Sequence, residues 1–393
     1  MDNLSLENLS KLLCSTDLST VKQGVDLWSQ LDDENVTNSL LEGLLLTPDG
    51  DAPFYFEEPG RLAAARWQVE AAFAVVVQRG LLAEATNMML GENNLTDLSL
   101  LKELPSLKTL SLPLYSPSVE QLCGFEALST CPQLVALSLH RQSFDNLPDD
   151  LISRLESLTL CYNEEGEDIP DLSLAVSLKY LELDECSELL SIEEVASLEN
   201  LEKLTIFNGC SIDDLSPLSE LYSLEELRLI ACSRCWDFGP VSDLTALKNL
   251  SVSHTRAFTD LEWLSSLTNL TQLSLYECTR LYDIDAIVEL GNLTRLKLDN
   301  CKNLEECSPI ADLSDLQHLS LNRTNLESIE FVQELEQLQT LYVVGCTKLT
   351  DIPCLERLTN LKILNLNGCS ALTDESKANA QSLVKMGCNV LGL

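Results

Sequence analysis

The sequence predicts an α/β solenoid, a coil of short stacked turns, and three observations lead there. One motif, L-x-x-L-x-L, recurs through most of the 393-residue chain. Its spacing is nearly constant. A small residue, most often cysteine, stands at a set distance after it, as Cys278 does in "LTQLSLYECTRLYDIDAIVELGN", residues 270–292.

The motif begins at Leu107 (LKTLSL), Leu134, Leu155, Leu178, Leu201, Leu224, Leu247, Leu270, Leu293, Leu316, Leu338 and Leu361 (LKILNL). The steps between the twelve copies are 27, 21, 23, 23, 23, 23, 23, 23, 23, 22 and 23 residues. Self-similarity at a period of this size marks a repeat architecture. In x-L-x-L-x, alternate side chains point to opposite faces, so the leucines turn inward and their neighbours face solvent. No single repeat buries its own leucines; each depends on the turns above and below it.

At these residues the chain resembles the leucine-rich repeat family over residues 95–393, with the consensus L-x-x-L-x-L-x-x-C-x-x-L-x-D-L-x-x-L-x-x-L-x-x. The resemblance implies a right-handed coil with a parallel sheet on its concave face. Many members carry asparagine where this chain has Cys186, Cys232, Cys278, Cys301, Cys346 and Cys369. Asn163, Thr255 and Thr324 fill that column in other turns, and Cys210 falls one residue late, which predicts a small bulge. Compact side chains with some hydrogen-bonding capacity suit a buried turn beside the sheet.

The ends differ from the array. Residues 1–94 lack the motif and are expected to be an all-helical cap domain. Apolar spacings of three and four run through "LENLSKLLCS", "STVKQGVDLWSQL" and "NVTNSLLEGLLL", which resemble one HEAT-type hairpin. "TPDGDAPFYFEEPG" is expected to be a loop, and Pro59 and Gly80 to bound a further helix. The array proper is placed at 95–373, with a helix in "SPSVEQLCGFEALSTC". Residues 374–393 are expected to close it, with Asp374 as N-cap, Gly387 as stop and "NVLGL" as a last strand. Both ends thus read as sealed, as in a complete soluble array.

Charge limits the partners. There are 62 Asp+Glu against 25 Lys+Arg, a net −37 spread along the chain. Such a surface repels phosphate backbones and anionic membranes and attracts a basic protein. The opening "MDNLSLENLSKLLC" has no secretory pattern, and the apolar run "AAFAVVV" is too short to span a bilayer. Fifteen cysteines that follow the repeat period are expected as free thiols in a reducing, cytoplasmic setting. A monomer is expected.

Catalytic and metal chemistry were each weighed. His140, His254 and His318 lie in three different repeats, outside any Ser/His/Asp or Cys/His pattern, and read as exposed strand or loop residues. No glycine-rich phosphate loop occurs. "CSRC", Cys232 with Cys235, resembles half a zinc site that Cys210 and His254 would complete, but the repeat register opposes it. An acidic column, Asp214, Asp237, Asp260, Asp283, Glu306, Asp351 and Asp374, reads as carboxylates accepting backbone N–H bonds at turn starts. Calcium bridging is the sharper alternative, yet one carboxylate per turn supplies few of the oxygens calcium takes. No catalytic, cofactor or metal site is expected.

What the repeat leaves variable is the outward strand row, and varied side chains on a rigid frame suit recognition. The expected partner surface comprises Glu182, Asp184, Glu202, Phe207, Arg228, Ile230, Tyr276, Lys297 and Tyr342. It is acidic toward the earlier turns, mixed where Arg295, Lys297 and Arg323 follow, and apolar between. Trp236, Trp263 and Tyr282 form a rival patch on the return side. The function expected is non-catalytic binding of a basic or mixed-charge protein. The alternatives are an effector exported to act in a host cell through the same surface, or an enzyme whose chemistry lies in the helical region.

Overall fold

The computed structural model describes residues 86–89, 98–112, 122–162 and 168–393, with Leu12, Gln23, Gly24, Leu27 and residues 51–53. The chain divides into two compact units. The first holds strands β1 (Asp51–Pro53), β2 (Asn87–Met89), β3 (Thr109–Ser111), β4 (Ala136–His140) and β5 (Ser157–Cys161), paired in chain order and parallel. The second holds β6 (Tyr180–Asp184), β7 (Lys203–Phe207), β8 (Glu226–Ile230), β9 (Asn249–Ser253) and β10 (Gln272–Tyr276). It continues with β11 (Arg295–Lys297), β12 (His318–Ser320), β13 (Thr340–Tyr342), β14 (Ile363–Asn365) and β15 (Asn389–Leu391). These too are all parallel, each pairing with the next.

The register is what the repeat spacing dictates. Leu204 lies opposite Leu227, Leu250 opposite Leu273 and Leu273 opposite Leu296. Each of these leucines is at most 2% exposed. The chain returns through short 3₁₀ segments, among them Ser216–Glu220, Gly239–Asp243, Asp285–Glu289 and Ser308–Asp312. Three of them carry proline at the first or second position, where a missing N–H is harmless. Leu218, Val241, Ile287 and Ile310 seal this side of the core.

The thiol column lies inside. Cys186, Cys232, Cys278, Cys301 and Cys346 are at most 1% exposed and Cys369 8%, while Thr255 and Thr324 are equally buried. Asn163 falls outside the described residues. All fourteen described cysteines are free. The Sγ of Cys301, Cys346 and Cys369 donates to the carbonyls of Leu275, Leu321 and Val343 at 3.5, 3.1 and 3.0 Å, the inner strand residue of the preceding turn. The column is therefore a hydrogen-bonded ladder between turns.

Several expectations need correction. No bulge displaces Cys210: β7 pairs with β8 in unbroken register through Phe207 and Ile230. Gly209 takes the column position instead, because a Cβ there would stand 2.9 Å from Cys232 Sγ and 3.0 Å from Ile206 and Ile212. In the segment expected to be helical, β1 and β2 are strands, β1 within the expected loop; Leu12, Gln23, Gly24 and Leu27 are helical as expected, and the rest of the cap's expected helices lies outside the described residues. Phe125–Thr130 is 3₁₀ in place of the expected helix. The last helix, α1 (Asp374–Lys385 — a four-residue turn at Asp149–Ile152 is left unlabelled), is capped by Thr373, whose side chain accepts from Ser376 N at 3.2 Å. Asp374 is thus the first helical residue. The closing strand forms as expected, as β15.

One regularity has only a faint sequence signature. The residue before each column position adopts a left-handed conformation: Glu185, Asn208, Ala231, His254, Glu277, Asn300 and Arg323 at φ 56–61°, then Gly345 and Gly368 at 72° and 80°. Nine turns of the second unit leave the sheet through this corner. Only the glycines and asparagines hint at it, since those residues tolerate positive φ best.

Candidate protein-interaction surface

The second unit brings the expected partner residues onto one sheet face. Glu182, Thr205, Arg228, Ser251, Ser274, Lys297, Ser320 and Tyr342 form one continuous row, each opposite the next. Thr205 and Ser320 are sunk within it, at 4% and 7% exposure. A second row carries Phe207, Ile230, Ser253 and Tyr276. Phe207 and Ile230 are neighbours and half-buried; Tyr276 is exposed, stands beyond Ser253, and leans on the His254 ring with centroids 5.2 Å apart. Tyr342 lies two strands past Lys297, away from that group. Asp184 closes β6, and Glu202 is exposed just ahead of β7.

Charge on this face is partly compensated. Glu226 pairs with Arg228 at 2.7 Å and Lys203 at 3.5 Å, and Glu225 with Lys248 at 2.6 Å. The Tyr180 hydroxyl donates to Glu182. Asp299 accepts from the Ser320 hydroxyl at 2.6 Å and Asn322 N at 2.8 Å. Burial, then the charges of Arg295, Lys362 and Lys297, hold the His318 imidazole below its ordinary value. Between β8 and β11 the face sinks into a depression of ≈ 410 Å³, bordered by Glu226, Arg228, Ile230, Asn249, Arg295 and Lys297. Sequence reading did not single out Asn249. Its signal is the 23-residue period, which puts it on the first outward strand position beside Gln272.

Five of the seven carboxylates in the acidic column act as expected, Asp260 accepting from Glu262 N at 3.3 Å; Asp351 instead meets the Ser376 hydroxyl at 3.5 Å, and Asp374 is inside its helix. Asp214 accepts from Ser216 N at 2.8 Å, Asp237 from Gly239 N at 2.8 Å, Asp283 from Asp285 N at 2.9 Å and Glu306 from Ser308 N at 2.9 Å. Each carboxylate opens a 3₁₀ segment. The Ser216 hydroxyl and N–H hold Asp214 below the usual carboxylate range. Among the described residues no three metal-ligating side chains converge. Hydrogen bonding with Cys235, then burial, pushes the Cys232 thiol up, which opposes the thiolate a metal takes.

The histidines are not alike. His254 and His318 are solvent-facing in whole or part, but His140 is 4% exposed, contrary to expectation, because it ends β4 beside Cys161 of β5. His254 Nδ1 lies 3.1 Å from Ser253 Oγ and its Nε2 3.8 Å from Glu277. Ser253 is only 7% exposed, and its histidine partner is the adjacent residue. On the return side, Trp263 packs with Phe238 and Phe258 at 5.1 and 5.3 Å, leaving Trp236 and Tyr282 as the exposed rings, 60% and 59% accessible.

Parallel strands stacked in repeat register, buried leucine columns and 3₁₀ returns define a leucine-rich repeat solenoid. No protein-family model matches the sequence. No curated protein matches it either. Among solved structures, an internalin from Listeria monocytogenes is similar, with a TM-score of 0.59 and 19% identity, over 82% of this chain and 93% of that one. A leucine-rich repeat protein of Leptospira interrogans matches at a TM-score of 0.39 and 19% identity, over 81% of this chain and 97% of that one. A plant peptide hormone receptor solved with its peptide gives 0.44 and 16%, over 74% and 53%. The chain has the leucine-rich repeat fold. No described helix is long and apolar enough to cross a membrane.

Proposed function

We propose that the chain is a non-catalytic, monomeric protein-binding module that engages its partner on the sheet face of the second unit. The observation that carries this reading is the adjacency of Phe207 and Ile230 on neighbouring strands, half-buried between charged rows. Apolar side chains on a rigid sheet lose little entropy when covered, which suits them as anchors. Glu182, Asp184 and Glu202 flank them with negative charge that favours a basic patch on the partner. Free, buried thiols fit a reducing compartment such as the cytoplasm.

Affinity capture followed by mass spectrometry tests this. The protein is compared with a Phe207→Ala, Ile230→Ala, Tyr276→Ala variant and with a Trp236→Ala, Tyr282→Ala variant, each checked for unchanged circular dichroism. Loss of a captured protein in the triple variant alone supports the sheet face. Equal capture by both supports neither surface, and loss only in the double variant moves the site to the return side.

A further inference from the structure

Cations and carboxylates are paired on the middle strands of this face, and one pair of cations on β11 stands apart from them. Lys203, Arg228 and Lys248 each have a glutamate partner. Arg295 and Lys297, side by side on β11 and both exposed, have no ion pair among the described residues, in a chain where acids outnumber bases 62 to 25. The nearest carboxylate in sequence, Asp299, is already engaged by Ser320 and Asn322. At the other end Glu202 is exposed and has no cation. Between them, in the same depression, the side-chain oxygen of Asn249 is buried without a hydrogen-bonding partner. Such an acceptor is an energetic liability in the free protein, relieved when a backbone N–H of an extended segment donates to it beside that segment's acidic side chain.

We propose that this depression receives one acidic side chain from an extended segment of the protein partner, held by Arg295 and Lys297, while a basic residue of the same segment lies over the acidic end at β6 and β7. This rests on the sheet face being the partner surface. Five strand spacings separate β6 from β11, about 24 Å, which an extended chain covers in about seven residues. The two charges of the partner are therefore set about seven positions apart. A nucleic acid fits poorly: one phosphate would meet the cations while its neighbours met the −37 surface. A uniformly basic segment fits poorly too, because it would leave Arg295 and Lys297 desolvated against like charge.

The test uses fluorescent decapeptide pools on the full chain, with Lys and Glu held seven positions apart and the rest randomised. Control pools carry Gln or a second Lys in place of Glu, and a single-stranded oligonucleotide is a further probe. The Lys/Glu pool is expected to bind about five- to tenfold more tightly than the Lys/Gln pool. Arg295→Ala with Lys297→Ala should erase that advantage, and Arg295→Lys should keep most of it. Equal binding of the pools, preference for the two-lysine pool, or stronger binding of the oligonucleotide overturns the proposal. If Phe207→Ala with Ile230→Ala abolishes peptide binding while the Arg295 and Lys297 variants do not alter it, the sheet face stands and the carboxylate pocket falls. If neither variant changes any pool, both readings fall.

Discussion

The Sγ of Cys369 lies 3.0 Å from the carbonyl oxygen of Val343, the residue just after β13, one turn earlier. Cys346 repeats the contact with Leu321 at 3.1 Å and meets Thr324 Oγ1 at 3.4 Å. These thiols join turn to turn at the place where strand hydrogen bonding stops. Cys346→Ala removes a fully buried sulfur and one donor from the Leu321 carbonyl, which keeps the Thr324 hydroxyl at 2.8 Å, so a loss of about 1–2 kcal/mol is expected in urea unfolding under reducing conditions. Cys354→Ala, on an exposed thiol, should leave the midpoint unchanged.

Alkaline pH should weaken the fold by the same ladder. Burial, then the neighbouring Cys346, pushes the Cys369 thiol up from 9.0 to about 11, and burial also raises Cys346 and Cys388. Between pH 9 and 11 the unfolded chain releases the Cys369 proton and the folded one keeps it. Stability present below pH 9 is thus lost progressively toward pH 11. Thermal melts across that window should show a falling midpoint. In the native protein at pH 8, thiol reagents should label exposed Cys123 and Cys354 well before the column.

The left-handed corners predict substitutions of opposite sign. Ala231, at φ 60°, gains nothing from its methyl group and strains the backbone. Ala231→Gly is expected to raise stability by about 0.5–1 kcal/mol. Gly368→Ala should lower it by about 1–2 kcal/mol, since a Cβ there is strained at φ 80° and meets Gly345 Cα at 3.3 Å. A denaturant midpoint that shifts the same way for both would contradict the corner geometry.

Asp237→Ala removes the acceptor that opens the Gly239–Asp243 turn and should destabilise by about 1 kcal/mol, with Asp237→Asn losing less. For Asp214, whose carboxyl is held low by Ser216, the sign is opposite to that of the thiols. Its contribution is present above the unfolded carboxylate value and is lost as pH falls through the lower folded one. Melting with calcium or with chelator should superimpose. A calcium-dependent rise would return these carboxylates to a metal role.

Arg154, in the first unit, ties several carbonyls at once. Its guanidinium donates to the carbonyls of Leu128, Cys131 and Leu134 at 3.0, 3.0 and 3.2 Å and pairs with Asp150 at 2.8 Å. Arg154→Lys keeps the charge but not the planar fork, so it should recover little of a loss of about 2–3 kcal/mol seen for Arg154→Ala. Unfolding curves of the two variants that differ by more than half that loss would show charge alone to be sufficient.

The candidate surface was legible in part. Alternation within each strand places Glu182, Arg228, Lys297 and Tyr342 outward whatever the detail of the coil. It does not say that Thr205 sinks between them, that Tyr276 leans on His254, or that Glu226 occupies Arg228 and leaves Arg295 and Lys297 unpaired. Those outcomes depend on rotamers, both within a strand, as for Glu226 and Arg228, and between side chains one turn apart, as for His254 and Tyr276.

Repeat length, the buried leucine columns, the parallel register and the thiols' inward position were determined by the sequence alone, because a period held over twelve copies leaves one way to bury every leucine at once. The left-handed corner, Gly209 in place of a bulge, Thr373 in place of Asp374 as the helix cap, and the charge pairing on the sheet were decided only by tertiary structure. Each turns on a clearance of a few tenths of an ångström or on which of two nearby polar groups takes a single donor, and a pattern of residue types carries neither.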